Sequence, residues 1–179
     1  GAVRVAVVEA VVSALTKERP RHIVDDRIRH DVREDVRSVR RSPLLQVVGD
    51  GEEVIASALV DLAREHALVL VSGGLGPTLD DLTRHGLARA AGVGLERNPK
   101  AWVQIQAWYE RNDRTPPPSN ERQALLPLGS RPLENAQGTA PGLHLRLGET
   151  DVFALPGPPQ EFGSMLEAHL CPWLAEQQG

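Results

Sequence analysis

Residues 44–72 read LLQVVGDGEEVIASALVDLAREHALVLVS, and this stretch restricts the fold more than any other. "LLQVV" (44–48) is short, apolar and β-branched, and "GDGEE" closes it as a turn would. "EEVIASALVDLAREH" (52–66) then carries apolar residues at helical spacing. Its glutamates sit in the first turn, where the helix dipole favours negative charge. "ALVLVS" (67–72) is a continuous apolar run, the pattern of a strand covered on both faces. Strand, helix and strand within about 30 residues make a βαβ unit, and with it an α/β domain with parallel strands.

The rest of the chain extends this unit. "VRVAVV" (3–8) reads as a first strand, and "EAVVSAL" (9–15) as a continuation into helix. Residues 17–41 differ, with nine Lys or Arg and six Asp or Glu. Val32, Val36 and Val39 fall on one helix face, so a solvated helix or partly ordered segment is expected. The interspersed acids weaken the alternative, an anionic-ligand or nucleic-acid patch. A helix is expected from Leu79 or Asp80 to Gly92, with Gly86 allowing close packing. Another runs over 98–112, with Asn98 as cap and Pro99 in first position. Its Trp102, Ile105 and Tyr109 share a core-facing side. "DRTPPPS" (113–119) is a stiff connection, and "NERQALLP" (120–127) a short helix with Asn120 and Gln123 in capping-box positions. "RPLEN" suggests a short strand, and "LHLRL" (143–147) and "DVFALP" (151–156) a hairpin. "PQEFGSMLEAHL" (159–170) is the last helix, ended by Pro172. With no repeat and no clear linker, residues 1–179 read as one domain.

Composition narrows the function classes. The formal charge is -4, which argues against nucleic acid as the main partner. Cys171 is the single cysteine, so neither a disulfide framework nor a cysteine-rich zinc site is available. No apolar run approaches a membrane span of roughly 20 residues, and no signal-peptide pattern opens the chain. A cytoplasmic location without membrane partners is expected.

"SGGLGPTLDDLT" (72–83) is the most informative loop. It leaves the end of a core strand, where ligands gather in open α/β sheets. Gly73, Gly74 and Gly76 permit positive φ and close approach of a ligand to the backbone. A helix start near Leu79–Asp81 would present free N–H groups to an anion. Thr78 and Asp81 suit a capping box with Asp in place of Glu. P-loop and dinucleotide signatures are absent, and the acids suggest a hard cation such as Mg²⁺ beside phosphate oxygens. On a helix Asp80 and Asp81 would point about 100° apart, so one is expected to bind metal or ligand while the other caps. A plain Gly/Pro turn followed by helix-start acids explains the same residues. "ENAQGTAPG" (134–142) and "ALPGPPQEF" (154–162) are two further Gly/Pro loops beside strands. Asn135, Gly138 and Thr139 offer polar and backbone contacts, and Glu161 falls in a first helical turn. These loops line the same crevice or are simple connections.

"SGGLGPTLDDLT", "RQALLPLGSRPLENAQGTAPG" and "ALPGPPQEFGSML" together resemble the N-terminal domain of the competence/damage-inducible CinA family, within the molybdopterin-binding-like superfamily. The likeness runs from about Val47 to the C-terminus. It implies a three-layer α/β/α sandwich with a mainly parallel sheet, and one crevice shared by the three loops. It also implies ADP-ribose pyrophosphatase activity with a divalent cation, Mg²⁺, Mn²⁺ or Co²⁺. The products would be AMP and ribose 5-phosphate. Asp80, Asp81 and Glu161 would be the catalytic and metal-holding acids, with the general base left open. Gly73, Gly74, Gly76, Thr78, Asn135, Gly138, Thr139, Pro141, Pro156 and Gly157 would bind the ligand. The alternative is a non-catalytic molybdopterin- or nucleotide-binding module, or an interaction domain keeping the fold. Homo-oligomers are common in the superfamily. Many family members add a C-terminal domain that deamidates nicotinamide mononucleotide, and no amidase activity is expected of the residues matched here. The chain departs from the family after its first strand. A Gly-Asp/Thr-Glu-Leu-Leu-x-Gly-like signature is replaced by "VVEAVVSALTKERPRH", where Glu9 is the nearest acid.

Overall fold

A computed structural model describes residues 5–10, 44–49 and 51–177. The expected helix over 11–15 and the charged stretch 17–41 lie outside these residues. Six strands form the main sheet: β1 (Val5–Ala10), β2 (Leu44–Val48), β3 (Leu68–Ser72), β6 (Arg131–Leu133), β7 (Gly142–Leu147) and β8 (Thr150–Leu155). Their order is β2-β1-β3-β8-β7-β6. The first four are mutually parallel, and β7 and β6 run antiparallel at one edge. Glu9 and Ala10 belong to β1, not to a helix, because they continue its register opposite Val47 and Val48. β1 also sits between β2 and β3, so the 44–72 unit crosses over one strand before pairing.

Helices cover both faces. On one lie α1 (Glu52–Glu65), α2 (Thr83–Ala91) and α3 (Pro99–Arg111). Ile55, Leu59, Leu87 and Ile105 pack there against Val69, Val71, Leu143, Leu145, Val152 and Ala154. On the other lie α4 (Pro159–Met165), a π turn (Leu166–Leu170) and α5 (Cys171–Gln177), which cover Leu68, Leu70, Phe153 and Leu155. Alternate residues of β3 thus serve opposite cores, and the whole strand is buried. Each such Leu or Val side chain contributes about 1.5–3 kcal/mol of burial. The result is the expected α/β/α sandwich. A small antiparallel pair, β4 (Leu95–Arg97) with β5 (Leu125–Pro127), stands apart from the main sheet.

Local signals are met in most places. Asn98 caps α3 by accepting from the N–H groups of Lys100 and Ala101, and Pro99 follows it. Gly92 ends α2 with a left-handed φ of 67°. A Cβ on Gly86 would lie 2.4 Å from Ile55 Cγ2, which explains that glycine as the contact between α1 and α2.

Besides the helix expected at Glu9, three expectations fail. α2 begins at Thr83 because Leu79–Asp81 form a turn whose hydrogen bonds close on Thr78. Residues Pro118–Ala124 form a 3₁₀ helix that begins after Pro117, and Asn120 bonds the Gln123 side chain instead of capping. Pro172 does not end the last helix. The π turn shifts the ladder register so that Cys171 N–H donates to Leu166 O, and Pro172 enters a fresh first turn where its missing donor costs little.

Candidate functional site

Sheet topology brings three loops to one end. Glu9, Ser72 and Leu155 are register partners, so β1, β3 and β8 finish side by side. The loops after β3 and β8 therefore leave together, and Gly73 N–H extends the ladder to Leu155 O at 2.9 Å. β7 is antiparallel to β8, so the loop that enters it, 134–141, arrives at the same end. Between them lies a cavity of about 450 Å³, within the range of small-molecule sites. Gly73, Gly74, Leu75, Gly76, Pro77 and Asp81 form one wall. Gln123, Thr139 and Ala140 form another, and Pro156, Gly157, Pro158 and Glu161 a third.

The first wall is built on glycine conformations. Gly73 and Gly74 hold φ of 90° and 67°, which side-chain-bearing residues rarely adopt. Thr83 Oγ1 donates to Gly73 O at 2.8 Å, and Thr83 N–H donates to Gly74 O at 3.2 Å. Arg84, 1% exposed, donates to Leu75 O and Gly76 O. A trans peptide sets its C=O and N–H on opposite sides. Fixing Leu75 O on Arg84 therefore turns Gly76 N–H away from the guanidinium. Burial lowers the Arg84 pKa to about 10, with Asp81 opposing the shift and Arg122 adding to it. Arg84 stays charged at neutral pH.

Both cavity carboxylates rest against a glycine. A Cβ on Gly76 would lie 2.5 Å from Asp81 Oδ2, and one on Gly138 would fall on Glu161 Oε2 at 2.1 Å. Asp81 accepts from Thr78 N–H at 2.9 Å and from Thr78 Oγ1. This is the carboxylate half of a capping box, made in a turn that no helix continues. Glu161 accepts from Asn135 Nδ2 at 2.6 Å. The same amide donates to Ala140 O, while Asn135 Oδ1 accepts from Gln137 N–H and Gly138 N–H. Asn135 is fully buried and ties the whole 135–140 loop to Glu161. Gly157 closes the floor, where a Cβ would meet Gly73 Cα at 3.4 Å, so two backbones touch directly.

Of the residues read from sequence, Gly73, Gly74, Gly76, Asp81, Thr139, Pro156, Gly157 and Glu161 line the cavity. Asn135, Gly138 and Pro141 support it from behind, all buried. Thr78 and Asp80 are exposed, and Thr78 reaches the cavity only through Asp81. The geometry thus separates the two aspartates by burial. Thr83, Arg84 and Gln123 were missed. Thr83 and Arg84 look like ordinary helix residues in sequence, and Gln123 like a cap. The spacing of Asn120 and Gln123 is visible in sequence, but their burial is not.

Among the described residues no group of three or more His, Cys, Asp and Glu gathers as a metal cage. Asp81 and Glu161 are the two carboxylates at the cavity wall, and they would be the groups available to a Mg²⁺ that keeps water and ligand phosphate in its shell. No helix of the described residues is long and apolar enough to cross a membrane.

Comparison with known proteins agrees with this architecture. Residues 39–176 match the domain family described as a probable molybdopterin binding domain. A CinA protein from Thermoplasma acidophilum has the same fold, with TM-score 0.77 and 32% identity over 92% of this chain and 96% of that one. The chain belongs to the CinA family, within the molybdopterin-binding-like superfamily. A CinA-like protein of Citrifermentans bemidjiense is 46% identical over 127 residues, 71% of this chain and 31% of that protein. The chain spans about a third of the length of the curated CinA relatives it matches. The molybdopterin biosynthesis enzyme MoaB of Thermus thermophilus shares the fold alone, with TM-score 0.54 and 19% identity over 94% of this chain and 89% of that one.

Proposed function

We propose that this CinA-family domain binds a phosphate-bearing small molecule, of molybdopterin or nucleotide type, in the crevice between the three loops. The observation that carries this reading is the pair of carboxylates, Asp81 and Glu161, each seated on a glycine at the cavity wall. Two carboxylates alone would repel a phosphate. A divalent cation shared with the ligand reverses that repulsion, so binding depends on Mg²⁺, Mn²⁺ or Co²⁺. The Gly76 N–H, turned away from Arg84, supplies a backbone donor to a phosphate oxygen.

Hydrolysis of ADP-ribose is not required by this reading, but one observation favours it as a second: the acids come from separate elements and face one cavity. A bound cation would polarise a phosphoryl oxygen, and the two carboxylates would orient water. Titration calorimetry with ADP-ribose and molybdopterin, with and without Mg²⁺, tests both readings. Cation-dependent binding is expected, weakened about tenfold or more by Asp81→Asn or Glu161→Gln. Release of AMP and ribose 5-phosphate would add the hydrolytic step. Absence of binding to either compound with all three cations would overturn the proposal.

A further inference from the structure

The second cavity wall contains a polar chain that runs in one direction. Asn120 Nδ2 donates to Gln123 Oε1 at 2.7 Å, and Gln123 Nε2 donates to Thr139 Oγ1 at 3.3 Å. Asn120 and Gln123 are 4% and 1% exposed, so water does not compete for these groups. Gln123 and Thr139 line the cavity, whereas Asn120 lies behind them. An amide has a donor end and an acceptor end. Once Asn120 occupies the acceptor of Gln123, only the Gln123 amino group can face Thr139. The Thr139 oxygen is then an acceptor toward Gln123, and its own proton is left to point elsewhere.

We infer that Asn120 and Gln123 set Thr139 as a hydroxyl donor to a phosphoryl oxygen of the bound ligand. Asn120 is a positioning residue and never touches the ligand. Gln123 transmits the polarity, and Thr139 makes the contact. This rests on the reading of the crevice as a phosphate-ligand site. The chain also strengthens the donor, because successive hydrogen bonds polarise one another in a buried setting.

The test is a double-mutant cycle read by calorimetry, with ADP-ribose and inorganic pyrophosphate as probes in Mg²⁺. Thr139→Val removes the hydroxyl at nearly constant shape and is expected to weaken both probes about tenfold. Thr139→Ser keeps the hydroxyl and restores most of the affinity. Asn120→Asp cannot donate, so Gln123 must turn its amino group toward residue 120. Thr139 then donates back to Gln123, and the cavity loses its donor. Asn120→Asp is therefore expected to weaken binding about as much as Thr139→Val, and to add little in the Thr139→Val background. Circular dichroism and melting accompany each variant. Where Asn120→Asp does not fold, Thr139→Val against Thr139→Ser and Gln123→Leu decide. Equal affinities of wild type, Thr139→Val and Asn120→Asp overturn the relay alone, as do fully additive losses. Wild-type protein that binds neither probe overturns the site reading and the relay together.

Discussion

Asp81 and Glu161 reach the same cavity by opposite routes. Asp81 is held within its own loop, by Thr78 three residues earlier and against Gly76. Glu161 is held across the chain, by Asn135 at a separation of 26 residues and against Gly138. Locally held groups keep their geometry as long as their loop does. A group held across the chain depends on both elements docking. The 135–140 loop should therefore loosen cooperatively with α4, while the 73–81 loop, tied to α2 through Thr83 and Arg84, should loosen independently of both.

The largest expected effect comes from Asn135→Ala. One side chain there serves Ala140, Glu161, Gln137 and Gly138. Its loss leaves buried groups unpaired and should cost about 3 kcal/mol in urea denaturation. Hydrogen exchange should rise in 135–140 and at the start of α4 together. Next comes Arg84→Met, which removes the donors to Leu75 O and Gly76 O while keeping the apolar stem. A loss of about 2 kcal/mol is expected, with exchange rising in 73–81 and unchanged in 135–140. Equal loosening of both loops in either variant would break the contrast.

The smallest effect concerns acid. His85, beside Arg84, has its pKa held below the ordinary 6.5, first by burial and then by the Arg84 charge, against an opposing pull from Glu52. The unfolded chain thus takes up a proton before the folded one. This contribution to stability is complete above pH 6.5 and is lost as pH falls through the folded value. His85→Gln should make the fall of Tm below pH 6.5 shallower. A slope identical to wild type would show that His85 is not coupled to folding.

The same local and long-range contrast explains what could be read in the sequence. The 44–72 unit, the Asn98 cap, the 143–155 hairpin and the glycine loop each announce themselves within a few residues. The burial of Asp81 beside an exposed Asp80 does not, because it follows from a turn that helical spacing misread. Arg84 carries no local sign of burial, since its acceptors belong to a loop folded back on α2. Placement of β1 between β2 and β3 likewise depends on pairing across the chain.

The meeting of Gly73 with Gly157 has a further consequence. Where the two glycines meet, neither loop contributes a side chain, so a substitution at either one would pry the loops apart. Room for variation around the cavity lies instead at its more open positions, such as Pro77, Thr139 and Pro158. The floor is a fixed measure of depth, and the rim is where chemistry can drift.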